Sequence, residues 1–200
     1  RDVAPSRGLG DVYKRQLTIL IDMDDTLEDL LGAWVSYLNT QYGTNVHKED
    51  IRQWDISVAF PSLSKTQVYE PILLDDFWKT VQPKDGAVEV VQKLISDGHR
   101  IYVVTASAYE TLRTKMEDVL FRYFSFLSWG DVIIASCKQM IKGDILIDDG
   151  VHNLLGGEYT GVLMDAPHNA DFHNEDVGIV RVHSWDEIYK VVEEIAKKGG

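Results

Sequence analysis

Three aspartates, Asp22, Asp24 and Asp25, follow an apolar run that begins at Leu17, and Thr26 closes the group. A second acidic pair, Asp148-Asp149, follows Ile145-Leu146-Ile147. Both groups sit where a buried strand would end. Two acidic strand ends brought together are costly, because neighbouring carboxylates raise one another's pKa values unless a cation lies between them. Oxygen ligands of this kind suit Mg²⁺, which keeps several waters and leaves room for a substrate phosphate. Thr105 ends the run 100–105, and Lys138 stands ten positions before Asp148. A hydroxyl and an ammonium facing such a cation could hold the remaining oxygens of a phosphoryl group. Lys142 competes with Lys138 for the cationic role on residue type alone.

These groups need a scaffold that brings strand ends together. Apolar runs at 17–23, 100–105, 131–135, 144–147, 161–164 and 178–182 read as strands, several almost continuously apolar, as parallel strands covered on both faces must be. Helical spacing joins Ala87, Val90, Val91, Leu94 and Ile95, with Gly98 as the stop. It also joins Leu112, Met116, Val119, Leu120 and Tyr123, and again Ile188, Val191, Val192 and Ile195 after Ser184, an N-cap residue type. Strands alternating with helices predict a doubly wound, Rossmann-like parallel α/β sheet. In such sheets ligands gather outside the carboxyl ends of the strands, which is where the aspartates fall.

One interval is too long for the pattern. Asp22 and Thr105 are 83 positions apart, whereas one βαβ crossover takes roughly 30 residues or slightly more. The segment 28–84, rich in aromatic residues and punctuated by Pro61 and Pro71, is expected to form a small helical cap after the first strand. The core is then 17–27 together with 85–200. Residues 1–16 carry Pro, Gly and basic residues without periodicity and are expected to be a non-native lead-in.

The chain has 200 residues, 44% hydrophobic, a formal charge of -12 and a pI near 4.8. That size can bury one sizeable core, and that charge argues against a nucleic acid polymer as partner, since such binding rests on a basic surface. With Cys137 as its single cysteine the chain has no internal disulfide, and it has no apolar run long enough to span a bilayer; a reducing cytoplasm is the expected setting.

The order Asp22-x-Asp24-x-Thr26, Thr105 after an apolar strand, Lys138, then Asp148-Asp149 resembles the haloacid dehalogenase superfamily of aspartate-nucleophile phosphatases, over essentially all of 17–197. The resemblance implies that Asp22 attacks phosphorus, that Asp24 serves the leaving oxygen as acid and then the water as base, and that the Asp24 carbonyl helps to hold Mg²⁺. It implies that Thr105, Ala106 and Lys138 bind the phosphoryl oxygens and that Asp149, supported by Asp148, completes the metal sphere. The phrases DMDDTL, QPKDGAVEVVQKL, VVTAS, KGDILIDD, APHNADF and VHSWDEIYKVV are similar in order and spacing to the 5'(3')-deoxyribonucleotidases. That closer likeness implies a nucleoside monophosphate as substrate and allows a homodimer, and its ten-residue lead favours Lys138 over Lys142. The family commonly has Gly-Val where this chain has Asp25-Thr26, and an aromatic residue at Leu30.

Trp54 is the expected base-stacking residue, since bases stack well on indole. The remaining aromatics of the insertion, Phe77 and Trp78 among them, are expected to be core. His168, Asn169, His183 and Trp185 are assigned structural roles, because no spacing for a zinc site accompanies them. Cys137 lacks a recognisable partner for nucleophilic work. Asp75-Asp76 and Glu193-Glu194 are expected on solvated faces. Two alternatives stay open: a phosphatase of another small phosphoester such as a sugar phosphate, and a receiver-like phosphoaspartate signalling domain. The position of the second acidic pair after both Thr105 and Lys138 favours the phosphatase.

Overall fold

The apolar runs form β1 (Thr18–Ile21), β2 (Arg100–Thr105), β3 (Val132–Ile134), β4 (Ile145–Asp148), β5 (Thr160–Met164) and β6 (Val180–Val182) in the computed structural model, which describes residues 15–198. They pair in parallel as one sheet of order β3-β2-β1-β4-β5-β6. The expected lead-in lies outside the described residues apart from Arg15 and Gln16; the Arg15 backbone N–H donates to the Ala196 carbonyl at 3.1 Å.

Near-continuous apolarity follows from burial on both faces. Ile19 is in register with Ile101 and Ile145, and Leu20 with Tyr102 and Leu146. Side chains alternate along each strand, so Ile19, Ile21, Val103, Ile145, Ile147 and Val162 enter one large apolar cluster. Leu20, Val104, Leu146 and Leu163 enter a smaller one on the opposite face.

Between β1 and β2 the chain passes through α1 (Leu30–Tyr42), α2 (Lys65–Tyr69) and α3 (Asp75–Trp78), with short 3₁₀ turns between them. Gly43, at φ 65°, ends α1 in the left-handed region that glycine enters without penalty. Trp34, Leu38, Phe60, Val68, Phe77 and Trp78 are buried, and they belong to the same continuous cluster as Ile19 and Ile21. The indole N–H groups are paired, Trp34 Nε1 with the Val68 carbonyl at 2.6 Å and Trp78 Nε1 with the Ile72 carbonyl at 3.1 Å, as buried indoles require.

Beyond the insertion, α4 (Ala87–Ser96) ends before Gly98, whose φ is 93°. The helix after β2 runs as α5 (Tyr109–Lys115), a π-type turn (Met116–Leu120) and α6 (Phe121–Tyr123). A single turn, α7 (Val151–Leu154), follows β4, and α8 (Trp185–Lys198) closes the fold, with the Ser184 hydroxyl accepting the Glu187 N–H at 3.3 Å. Glu193 departs from expectation: it is buried, not solvated. It extends the i, i+4 row from Trp185 and Tyr189, and Tyr189 packs against α4 through Lys93 and Asp97. Among the described residues no helix is long and apolar enough to cross a membrane.

Candidate active site

The chain leaves β1 toward β2 and β3 on one side and returns to β4 on the other, so the strand order switches between β1 and β4. This is the crevice where open α/β sheets bind ligands. The Asp22 N–H donates to the Ile147 carbonyl at 2.8 Å, which sets Asp22 beside the acidic pair that ends β4. Carboxylate oxygens of Asp22, Asp148 and Asp149 lie within 4.8 Å of one another, and all three residues are buried.

Lys138 is 2% exposed, and its ammonium donates to Asp148 Oδ2 at 2.6 Å and to Asp22 Oδ1. Lys142 is exposed, outside this cluster. Asp148 also accepts from the Gly150 N–H at 2.7 Å and from Asn153 Nδ2 at 3.1 Å. A Cβ on Gly150 would come within 3.0 Å of Asp148 Oδ1, so the close turn favours glycine. Asp149 is met by His168 Nε2 at 3.2 Å, and its carbonyl accepts from Asn169 Nδ2 at 2.9 Å. His168 and Asn169, read from the sequence as structural, therefore sit directly on a site residue.

The electrostatics follow from this crowding. Burial, then the charge of Asp148, pushes the Asp22 carboxyl well above the usual range despite Lys138. Burial likewise raises Asp148, opposed by Lys138 and aided by Asp149. Burial works against the charged forms of Lys138 and His168 as well. For Lys138 the carboxylates of Asp22 and Asp148 outweigh it, and for His168 the hydrogen bond and charge of Asp149 do so, leaving both raised. A cluster of buried oxygens whose negative charge one ammonium does not balance is a fit for a hard divalent cation.

Asp24 stands on a second lysine that the sequence motifs do not mark. Lys115, buried at the end of α5, donates to Asp24 Oδ2 at 2.7 Å and to Thr105 Oγ1 at 2.9 Å. Burial disfavours the Asp24 carboxylate, but the Lys115 charge and hydrogen bonds from Glu28 and Lys115 outweigh it and hold the group below its usual range. Glu28, wholly buried, is driven the other way, well above its usual range, by burial and then by the charge of Asp24. A signal for Lys115 was present: 112, 115, 116 and 119 form one helical stripe, and a lysine interrupts its apolar sequence.

Asp25 has φ 55°, the left-handed region that Asp tolerates better than most side chains. Its Oδ1 accepts the Leu31 N–H at 3.1 Å and so caps the first turn of α1. Burial, then the charge of Asp149, raises its carboxyl to about 7. The same turn is fixed from below by Trp185, whose Nε1 donates to the Thr26 carbonyl at 3.1 Å.

A cleft of about 310 Å³ is lined by Asp22, Asp24, Asp25, Ala106, Lys138 and Asp149 from the strand ends and by Leu30, Trp34, Ile51, Trp54, Ile56 and Ile72 from the insertion. The strand-end lining is mostly charged and that of the insertion mostly apolar. Trp54 is 60% exposed at the rim, its ring meeting His152 and His168 edge-on at centroid distances of 4.8 and 5.2 Å. The adjacent Asp55 anchors that loop by accepting from Lys65 at 2.6 Å, Ser57 N–H at 3.0 Å and the Tyr69 hydroxyl at 2.9 Å.

The chain is similar to known proteins over nearly all of its described length. Residues 15–198 match the model of the family described as 5' nucleotidase, deoxy (pyrimidine), cytosolic type C protein. A 5'(3')-deoxyribonucleotidase of Bacillus subtilis is 37% identical over 172 residues, covering 85% of this chain and 95% of that protein. One from Clostridium acetobutylicum is 28% identical over 178 residues, covering 89% and 96%. A haloacid dehalogenase family hydrolase from Deinococcus radiodurans, solved with bound phosphate and sodium, has the same fold with a TM-score of 0.62 at 14% identity, over 94% of this chain and 98% of its own. The six-stranded parallel sheet, the acidic cluster at its β1/β4 crevice and the match over 15–198 place this chain in the 5'(3')-deoxyribonucleotidase-type family of phosphoric monoester hydrolases.

Proposed function

We propose that the chain is a Mg²⁺-dependent 5'-nucleotidase that cleaves (deoxy)nucleoside monophosphates through an aspartyl phosphate on Asp22. The observation that carries this reading is the cleft itself, which brings carboxylates and an ammonium suited to a phosphoryl group together with apolar and indole side chains of the insertion. The names of the relatives, 5'(3')-deoxyribonucleotidases, support the substrate class.

In the first displacement an Asp22 oxygen attacks phosphorus and the ester P–O bond breaks; Asp24, ionised against Lys115 in the free protein, must take up a proton before this step and then gives it to the leaving nucleoside oxygen. In the second, Asp24 takes a proton from water, which attacks phosphorus, releases inorganic phosphate and restores Asp22. A carboxylate nucleophile thus splits the reaction into two easier steps. Thr105, the Ala106 backbone and Lys138 hold the phosphoryl oxygens, since phosphoryl transfer needs chiefly positioning and neutralised charge. Asp22, Asp149 and the Asp24 carbonyl would hold Mg²⁺, which neutralises negative charge shared by nucleophile and phosphoryl oxygens. Asp149 suits this role better than Asp148, whose oxygens are already taken by Lys138, Gly150 and Asn153.

The insertion, proposed as a cap over 28–84, supplies selectivity through Trp54, on which the base stacks. Exposed, free Cys137 is consistent with a reducing cytoplasm. Purified chain assayed with Mg²⁺ against deoxynucleoside monophosphates and phosphosugars should prefer the nucleotides. A clear preference for phosphosugars would overturn the nucleotide assignment while keeping the phosphatase.

A further inference from the structure

Lys115 is 2% exposed and its ammonium is engaged on several sides: Asp24 Oδ2 at 2.7 Å, Thr105 Oγ1 at 2.9 Å and the Trp78 ring centroid at 5.4 Å. An ammonium carries donors only, so in this contact the Thr105 oxygen accepts. A hydroxyl that accepts on its oxygen still has its own proton to give. With Lys115 occupying one lone pair, the Thr105 proton is turned away from the ammonium and left to donate, the polarity a phosphoryl oxygen requires. The same ammonium grips Asp24 and fixes its orientation relative to Thr105. The π-type turn that begins at Met116 follows directly; such turns change which side chains face inward and recur at functional sites.

We propose that Lys115 is a positioning residue for the phosphoryl site, committing Thr105 as a donor and setting the orientation of Asp24; this rests on the reading of the cleft as a phosphohydrolase centre. Lys115 acts through these two residues and not by touching substrate.

The test uses the full chain with Mg²⁺ and four forms: wild type, Lys115→Met, Thr105→Val and the double variant. Calorimetric titration with inorganic phosphate is read beside kcat and KM for a deoxynucleoside monophosphate. Lys115→Met should weaken phosphate binding about tenfold or more, the scale of one hydrogen bond to a charged group, and lower kcat. In the Thr105→Val background the same change should alter phosphate affinity by less than about twofold, because residues acting as a unit are not additive. Unchanged phosphate affinity in a cooperatively melting Lys115→Met protein overturns the proposal, and so does a fully additive loss in the double variant. Should Lys115→Met not melt cooperatively, Lys115→Gln replaces it in both backgrounds under the same criteria. Wild type that binds phosphate yet cleaves no monoester would overturn the hydrolase reading alone, with the titration still deciding on Lys115. Wild type that binds no phosphate would overturn both.

Discussion

Lys138 and Asp148 are joined by an ammonium–carboxylate contact of 2.6 Å in which neither side chain is more than 3% exposed. Removing one partner of such a pair leaves an uncompensated buried charge. Lys138→Met should destabilise the metal-free protein by roughly 3 kcal/mol and reduce turnover to near background. Denaturant melts in chelator, with and without added Mg²⁺, check this: the deficit should shrink when the cation is supplied. A variant as stable as wild type in chelator would contradict the pairing.

Asp22→Asn should abolish turnover while the protein melts at the same temperature or higher. The amide is nearly isosteric and removes a carboxylate that burial and Asp148 already disfavour. Thermal melts and a phosphate-release assay on one preparation test both halves, and residual hydrolysis above background would refute Asp22 as nucleophile.

The pH dependence has a definite sign. The Asp25 carboxyl is raised to about 7, so the folded state binds its proton more tightly than the unfolded chain does. Its stabilising contribution is full below the ordinary carboxylate range and is lost as pH climbs through about 7. Asp22, Glu28, Asp148 and His168 are shifted upward as well and act in the same direction. Asp24, shifted downward, loses its contribution only as pH falls into the acid range. In chelator, Tm should therefore fall between about pH 5 and 7.5, and Asp25→Asn should flatten part of that slope. Mg²⁺ should raise Tm more at pH 7.5 than at pH 5, since its ligands bind as carboxylates. A chelated protein that grows more stable across this window would contradict the raised carboxyls.

Trp54→Ala should separate base recognition from chemistry. The ring is 60% exposed, so stability should change by less than about 0.5 kcal/mol. KM for a nucleoside monophosphate should rise about tenfold, the scale of one lost stacking contact, while hydrolysis of a small aryl phosphate stays within about twofold. Equal losses on both substrates would remove Trp54 from base recognition.

Much of this arrangement could be read from local pattern. Strands buried on both faces announce themselves as apolar runs, and the acidic residues after β1 and β4 fall where such runs must stop. Gly98 and Ser184 marked helix ends through backbone geometry that few residue types satisfy. Lys115 and His168 were not read as site residues, because each reaches Asp24 or Asp149 through packing between elements distant in sequence, whereas Glu28, only four positions from Asp24, was read as the first residue of the insertion. Lys115 and Asp24 are 91 positions apart, and His168 and Asp149 are 19 apart. A charged residue on a helix is ordinarily solvated, so only its place within an apolar stripe could have exposed Lys115. Glu193 misled for the same reason: composition suggested water, while its i, i+4 row pointed inward.

The apolar interior runs without a break from the sheet into the insertion, through Ile21 and Met23 to Trp34, Phe60 and Phe77. A swinging rigid flap would have to tear that oily seam and wet side chains that are now dry. Admission of substrate is then a matter of small movements at the rim, where Trp54 and its two histidine neighbours stand. Anyone wishing to retarget this protein by transplanting the insertion from a cousin would have to carry over the matching surface beneath it. Editing the rim in place demands far less.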